Sequence, residues 1–281
     1  MSKSDQTYKE LSIPYFKETF DCIDKIMSAH QIPYYLIGAN AIALELLNKG
    51  IKPSRGTRDI DFAIMISSFD EYKQITRDLI ANGFIKTKEP YRFNFKGSNL
   101  VIDVLPFGQI EEQYTEDFNK RNVDLHLLGF KEVLEDSISI QIEEKIANIP
   151  PLPGMIILKL IAWNDRPEQR ENDLADILTI IQHFFELEYD EIVEFHYDTF
   201  PKDDTVEIDQ LLVAAEVLGR KAKLFLNKSE ELSNRIYQIL ETNLQVVSQS
   251  EIAKDWALKL NSDIEYSFSI LESFQKGIST D

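Results

Sequence analysis

Residues 149–154 read Ile149-Pro150-Pro151-Leu152-Pro153-Gly154, three prolines and a glycine in a run of six. Proline carries no backbone N–H and its ring clashes with a preceding helical turn, so regular structure is expected to stop here. The patterning changes across this break. Before it, short β-prone runs alternate with helical periodicity. After it, Met155–Asn164, Asn172–Phe185, Val206–Leu226, Glu230–Val247 and Glu251–Phe274 all repeat apolar residues at helical spacing. The chain is therefore expected to form an α/β domain with a mixed β-sheet and flanking helices over 1–150, followed by an all-α helical domain over 151–281.

Within the first part, Phe16, Phe20, Ile23 and Met27 define a helix face over Ile13–Ala29, with Pro14 acceptable in its first turn. Ile32–Ile37 then reads as a buried strand. Gly38 ends it, and the alanine- and leucine-rich Ala39–Leu47 follows as a helix, so the turn between them can approach phosphate. Lys49–Arg58 is a polar loop delivering the chain to a central strand at Asp59–Ile66. Phe69–Ala81 is predicted helical. Phe84–Thr87, Tyr91–Phe95, Leu100–Leu105 and Ile138–Ile142 are predicted strands.

In Thr57-Arg58-Asp59-Ile60-Asp61-Phe62, strand alternation points Asp59 and Asp61 to one face and Ile60 and Phe62 to the other. Side by side, two carboxylates repel, and a divalent cation held by hard oxygens removes that cost. Alone, the pair equally suits a solvated strand end. A further strand, Leu100-Val101-Ile102-Asp103-Val104-Leu105, has one acidic residue in an apolar run, and an unpaired buried carboxylate is costly. If the two strands are neighbours, Asp103 completes a three-carboxylate site for magnesium, of the kind that clamps an in-line phosphoryl displacement with two ions.

Composition narrows the alternatives. A formal charge of −18 disfavours a surface that coats nucleic acid nonspecifically, so any such contact must be local. Cys22 is the only cysteine, which excludes internal disulfides and multi-cysteine metal sites and fits a reducing, cytoplasmic setting. The opening residues show no apolar signal region, and apolar windows such as Met155–Trp163 fall short of the roughly 20 residues of a spanning helix, so no membrane association is expected. His30, His126, His183 and His196 show no zinc-hydrolase spacing. Lys86, Lys88, Arg92 and Lys96 form a basic stretch, whereas His183–Asp209 holds ten acidic residues against the single Lys202 and should face solvent or a basic partner.

Taken in order, Gly38-Ala39-Asn40-Ala41, Arg55-Gly56-Thr57-Arg58-Asp59-Ile60-Asp61 and Ile102-Asp103 resemble the polymerase-β-type nucleotidyltransferase superfamily. The later runs Ile157-Leu158-Lys159-Leu160-Ile161-Ala162-Trp163-Asn164-Asp165-Arg166 and Asn172-Asp173-Leu174-Ala175-Asp176 resemble motifs of the AbiEii/AbiGii-type toxins of abortive-infection and toxin–antitoxin systems. The resemblance spans roughly residues 33–181. It implies a magnesium-dependent enzyme that moves a nucleoside monophosphate from a nucleoside triphosphate, such as ATP, to an acceptor hydroxyl. Asp59, Asp61 and Asp103 would hold one or two magnesium ions. Gly38, Ala39, Asn40, Arg55, Thr57, Arg166 and Asp173 would bind the nucleotide, and Lys159 and Asp176 would assist catalysis. Lys159, Trp163 and Arg166 fall on one helix face, and a lysine paired with Asp173 or Asp176 would equally lock two helices. The chain departs from the family pattern in having Gly38-Ala39 for its common Gly-Ser or Gly-Gly, and Asn172 where its Lys-Asp-x-x-Asp begins. An RNA (tRNA) 3′ end is the acceptor the resemblance favours, and a cognate antitoxin is the implied partner. A small-molecule acceptor such as an aminoglycoside stands beside it. So does a catalytically silent nucleotide- or partner-binding protein on the same fold.

Overall fold

The computed structural model describes residues 11, 15–52, 59–96, 99–109, 127–203 and 205–280. The chain divides into two compact units, Met1–Pro151 and Leu152–Asp281. The first is mixed α/β, built in the order α1 (Phe16–His30), β1 (Tyr34–Ile37), α2 (Gly38–Asn48), β2 (Asp59–Met65), α3 (Phe69–Ala81), β3 (Phe84–Lys86), β4 (Arg92–Phe95), β5 (Val101–Phe107), α4 (Phe130–Leu134), β6 (Ile138–Ile142) and β7 (Lys145–Ile149). Five strands form one sheet in the order β1-β2-β5-β4-β3, and β6 and β7 pair as a separate two-stranded sheet. β2 and β5 run parallel, while β1–β2, β4–β5 and β3–β4 are antiparallel, so the sheet is mixed as the patterning predicts.

The two faces of this sheet differ because the sequence alternates. Ile60, Phe62, Ile64, Ile102, Val104 and Phe93 are completely buried. On this side the ring of Phe62 lies 6.2 Å from that of Phe20 on α1, and Tyr72 of α3 donates its hydroxyl hydrogen to the carbonyls of Pro90 and Val104. The alternate positions Asp59, Asp61, Asp103 and Arg92 fall on the other face. β1 passes straight into α2 with no linker. Gly38 makes that turn at φ 69°, a left-handed conformation that costs a residue with a side chain more than it costs glycine.

The second unit is helical, with α5 (Leu152–Asp165), α6 (Glu171–Leu187), α7 (Tyr189–Phe195), α8 (Gln210–Leu226), α9 (Glu230–Leu244), α10 (Glu251–Leu260) and α11 (Ile264–Ser279). Two details differ from expectation. α5 begins within the proline-rich run and carries Pro153 and Gly154 in its first turn, where helical N–H groups have no carbonyl partner and proline loses nothing. The expected helix Glu251–Phe274 is two helices, because Asn261 adopts the left-handed conformation and Asp263 then caps α11 by accepting from the Tyr266 N–H.

Helices α8 and α11 pack unusually closely. A Cβ on Gly219 would collide with the carbonyl oxygen of Phe274, and one on Gly277 with that of Glu216. Buried Glu216 ties the same pair electrostatically, accepting from Arg220 on its own helix and Lys276 on the other, each at 2.7 Å. A glycine-to-alanine change in a helix would ordinarily stabilise by about 1 kcal/mol. Here the obstructing atoms are backbone, so Gly277→Ala is expected to destabilise by about 1–3 kcal/mol instead, read as a lower urea midpoint at unchanged slope.

Candidate active site

Three predicted site carboxylates meet on the polar face of the five-stranded sheet. Asp61 and Asp103 are direct register partners on the parallel strands β2 and β5, and Asp59 lies two residues before Asp61 on the same face. Asp61 also pairs in register with Ile37, the last residue of β1, which brings its carboxylate against Gly38 at the start of α2. A Cβ on Gly38 would strike the Asp61 carboxylate, so the glycine is required twice, for its positive φ and for room. Asn40, buried one turn into the helix, donates from Nδ2 to the Asp59 carbonyl at 2.7 Å and so fixes the start of β2 to the start of α2. Its Oδ1 is buried and accepts no hydrogen bond. Ala39 follows Gly38 in the first turn of α2.

The sequence reading placed Arg92 in a basic surface stretch. The structure places it in the site. Arg92 is the register partner of Asp103 on the antiparallel strand β4, and its guanidinium grips that carboxylate with both prongs, Nε to Oδ1 and Nη2 to Oδ2, each at 2.8 Å. Asp103 is only 6 % exposed at its side chain, so this charge-assisted pair supplies the partner that an aspartate in an apolar strand requires. The fork to Asp103 holds the Arg92 guanidinium above its ordinary pKa, and the charge of Asp59 adds to the effect. The signal in the sequence is one arginine and one aspartate at positions of two successive strands that alternate with their apolar residues.

Lys159, Asp173 and Asp176 form a second cluster, within the helical unit. Lys159 of α5 donates to Asp173 at 2.8 Å and to Asp176 at 2.7 Å, both on α6, and all three side chains are about 9–10 % exposed. Burial pulls the lysine pKa down, but the two carboxylates outweigh it and the net direction is upward. The second oxygen of Asp173 is buried and accepts no hydrogen bond. Trp163 is buried on α5. Arg166 comes just after that helix, where its N–H reaches the carbonyls of Ala162 and Trp163. The neighbouring Asp165, not singled out in the sequence, is ion-paired with Arg235 of α9. Arg55 and Thr57 lie outside the described residues.

Among the described residues no three His, Cys, Asp or Glu side chains are arranged to hold a metal ion as they stand. On the sheet, Arg92 engages both oxygens of Asp103. Asp59 and Asp61 nevertheless supply hard carboxylate oxygens from one strand face, the donor type that divalent magnesium takes, so the residues fit the ion.

The model of the family "Nucleotidyl transferase AbiEii toxin, Type IV TA system" matches residues 28–270. No curated protein matches the chain in sequence. Among solved structures, an antigenic nucleotidyltransferase-like protein from Paracoccidioides brasiliensis is similar, at 14% identity and a TM-score of 0.41, covering 81% of this chain and 92% of that one. By the family match over residues 28–270, the protein is a nucleotidyltransferase. It belongs to the AbiEii toxin family of type IV toxin–antitoxin systems. Among the described residues no helix is long and apolar enough to cross a membrane.

The Lys159 cluster yields a test of its own. Lys159→Met would leave two buried carboxylates without their cation and is expected to cost about 3–5 kcal/mol in urea unfolding at neutral pH. In the wild type, the lysine's pKa is raised above its ordinary 10.5, so its contribution to stability is complete below that value and fades only as pH climbs through the higher folded one.

Proposed function

We propose that the protein is a magnesium-dependent transferase that moves a nucleoside monophosphate from a nucleoside triphosphate to an acceptor hydroxyl, with an RNA 3′ end, as in tRNA, as acceptor. The observation that carries this reading is the in-register pairing of Asp61 with Asp103, with Asp59 on the same face. In this reading Asp59 and Asp61 hold the metal and Asp103 completes the site. Magnesium, when bound, would offset the negative charge on the triphosphate and on the departing pyrophosphate.

The protein's own groups do the rest. Gly38 and the first turn of α2 present backbone to the phosphates, since a helix start has N–H groups without carbonyl partners and a glycine there lets an oxygen approach. Ala39 offers no hydroxyl, so any phosphate contact at that position comes from its backbone. Asn40 keeps β2 and α2 in a fixed relation through its hydrogen bond to the Asp59 carbonyl. The acceptor oxygen bonds to the α-phosphorus, the bond from that phosphorus to the bridging oxygen breaks, and the hydroxyl proton passes to a carboxylate of the same face. Lys159 donates to both Asp173 and Asp176 across two helices, so we assign the three residues the work of joining α5 to α6. A cytoplasmic setting and a cognate antitoxin belong to the same reading.

The net charge of −18 favours a second acceptor class, a small hydroxylated molecule that makes no extended contact. Incubating each α-labelled nucleoside triphosphate with cellular RNA, with protein and with a panel of small hydroxylated acceptors separates the cases. Label is expected in RNA, dependent on magnesium, and lower by at least about a hundredfold in the Asp59→Asn, Asp61→Asn variant. Label confined to small molecules would replace the RNA acceptor. No transfer to any class, with nucleotide still bound, would leave a binding protein on this fold.

A further inference from the structure

On the polar face of the sheet, a cation already sits on the third carboxylate. The Arg92 guanidinium engages both oxygens of Asp103, and the next strand beyond Asp103 carries Asp61 directly opposite. A dication shared by Asp61 and Asp103 would stand within a few ångströms of that guanidinium, where like charges repel strongly. The two partners of the fork differ in freedom. Asp103 is 6 % exposed at its side chain and fixed in the middle of the sheet, whereas the Arg92 side chain is 38 % exposed and long enough to swing outward. Once it leaves Asp103, the guanidinium requires another planar or multidentate anion, and a triphosphate is the anion this site would receive.

Building on the magnesium-dependent reading above, we propose that Arg92 is the resident cation of the site and a ligand of the substrate. It holds Asp103 until a divalent cation arrives with the triphosphate, then turns from Asp103 onto a phosphate oxygen. The exchange conserves charge at Asp103 throughout, so the buried carboxylate is never left uncompensated. It also couples two ligands. Metal alone must displace Arg92 before any phosphate is there to receive it, and binds weakly. Metal with triphosphate gives the guanidinium a new partner, and binds well. By linkage, the triphosphate gains as much from the metal as the metal gains from it.

The test is a titration of the purified full chain with Mn2+, reading free ion by electron paramagnetic resonance, with and without a non-hydrolysable triphosphate analogue. In the wild type the analogue is expected to raise Mn2+ affinity. In Arg92→Gln, Mn2+ alone should bind about tenfold or more tighter than in the wild type, and the gain on adding the analogue should shrink by a similar factor. Arg92→Lys keeps a charge but cannot span both carboxylate oxygens. It should shift both quantities the same way by less, and it serves if the glutamine variant does not fold. Mn2+ affinity that is unchanged or lower in both variants would overturn the role of Arg92. Mn2+ binding by the wild type that survives Asp59→Asn, Asp61→Asn intact would overturn the metal reading itself, so the two failures are distinguishable.

Discussion

The parallel pairing of β2 with β5 places Asp61 directly across from Asp103, and the chemistry open to the polar face of the sheet follows from that register. A slip of one residue would turn the aspartates into the apolar side against α1 and α3 and bring Ile60 and Phe62 to the open face. The register is held by the buried side, where Phe62, Ile102, Val104 and Phe93 are fully enclosed. It is also held by two polar clasps, the Asn40 amide on the Asp59 carbonyl and the Arg92 fork on Asp103. Burying apolar groups on one face and pairing Asp103 with Arg92 on the other are the same event seen from two sides.

The helical unit meets the cost of buried charge by a similar device. Lys159 sits between two aspartates one helical turn apart, and Glu216 sits between Arg220 and Lys276. In each case two residues three or four apart on one helix share a face, and a long cationic side chain from the neighbouring helix reaches one or both of them. The closest helix contact, α8 on α11, depends on the absence of side chains at Gly219 and Gly277. Small residues and buried ion pairs thus fix which helices touch, while the more numerous leucines and isoleucines supply most of the burial.

In the function proposed above, this face of the sheet is where nucleotidyl transfer takes place. The electrostatic balance of that face shapes what it can bind. Three carboxylates converge where an anionic substrate is expected, and a guanidinium compensates one of them.

The mixed α/β class, the helical second half, the aspartates on one strand face and the pairing potential of Lys159 are all legible in the sequence, because period-two and period-3.6 patterns are local properties of the chain. So is the need of Asp103 for a partner, which follows from its apolar neighbours. The identity of that partner is not local. Arg92 sits eleven positions before Asp103, and only the antiparallel register of β4 with β5 brings the two together. The hairpin β6–β7 was half visible, since Lys145–Ile149 is short and runs into prolines that obscure its strand character. The break between α10 and α11 rests on a left-handed Asn261, a conformation that periodicity does not encode. The sequence by itself determined which residues are apolar, which carry charge and how they repeat. The tertiary structure decided which charges neutralise which, because that depends on strand order and register, set by packing across the whole unit.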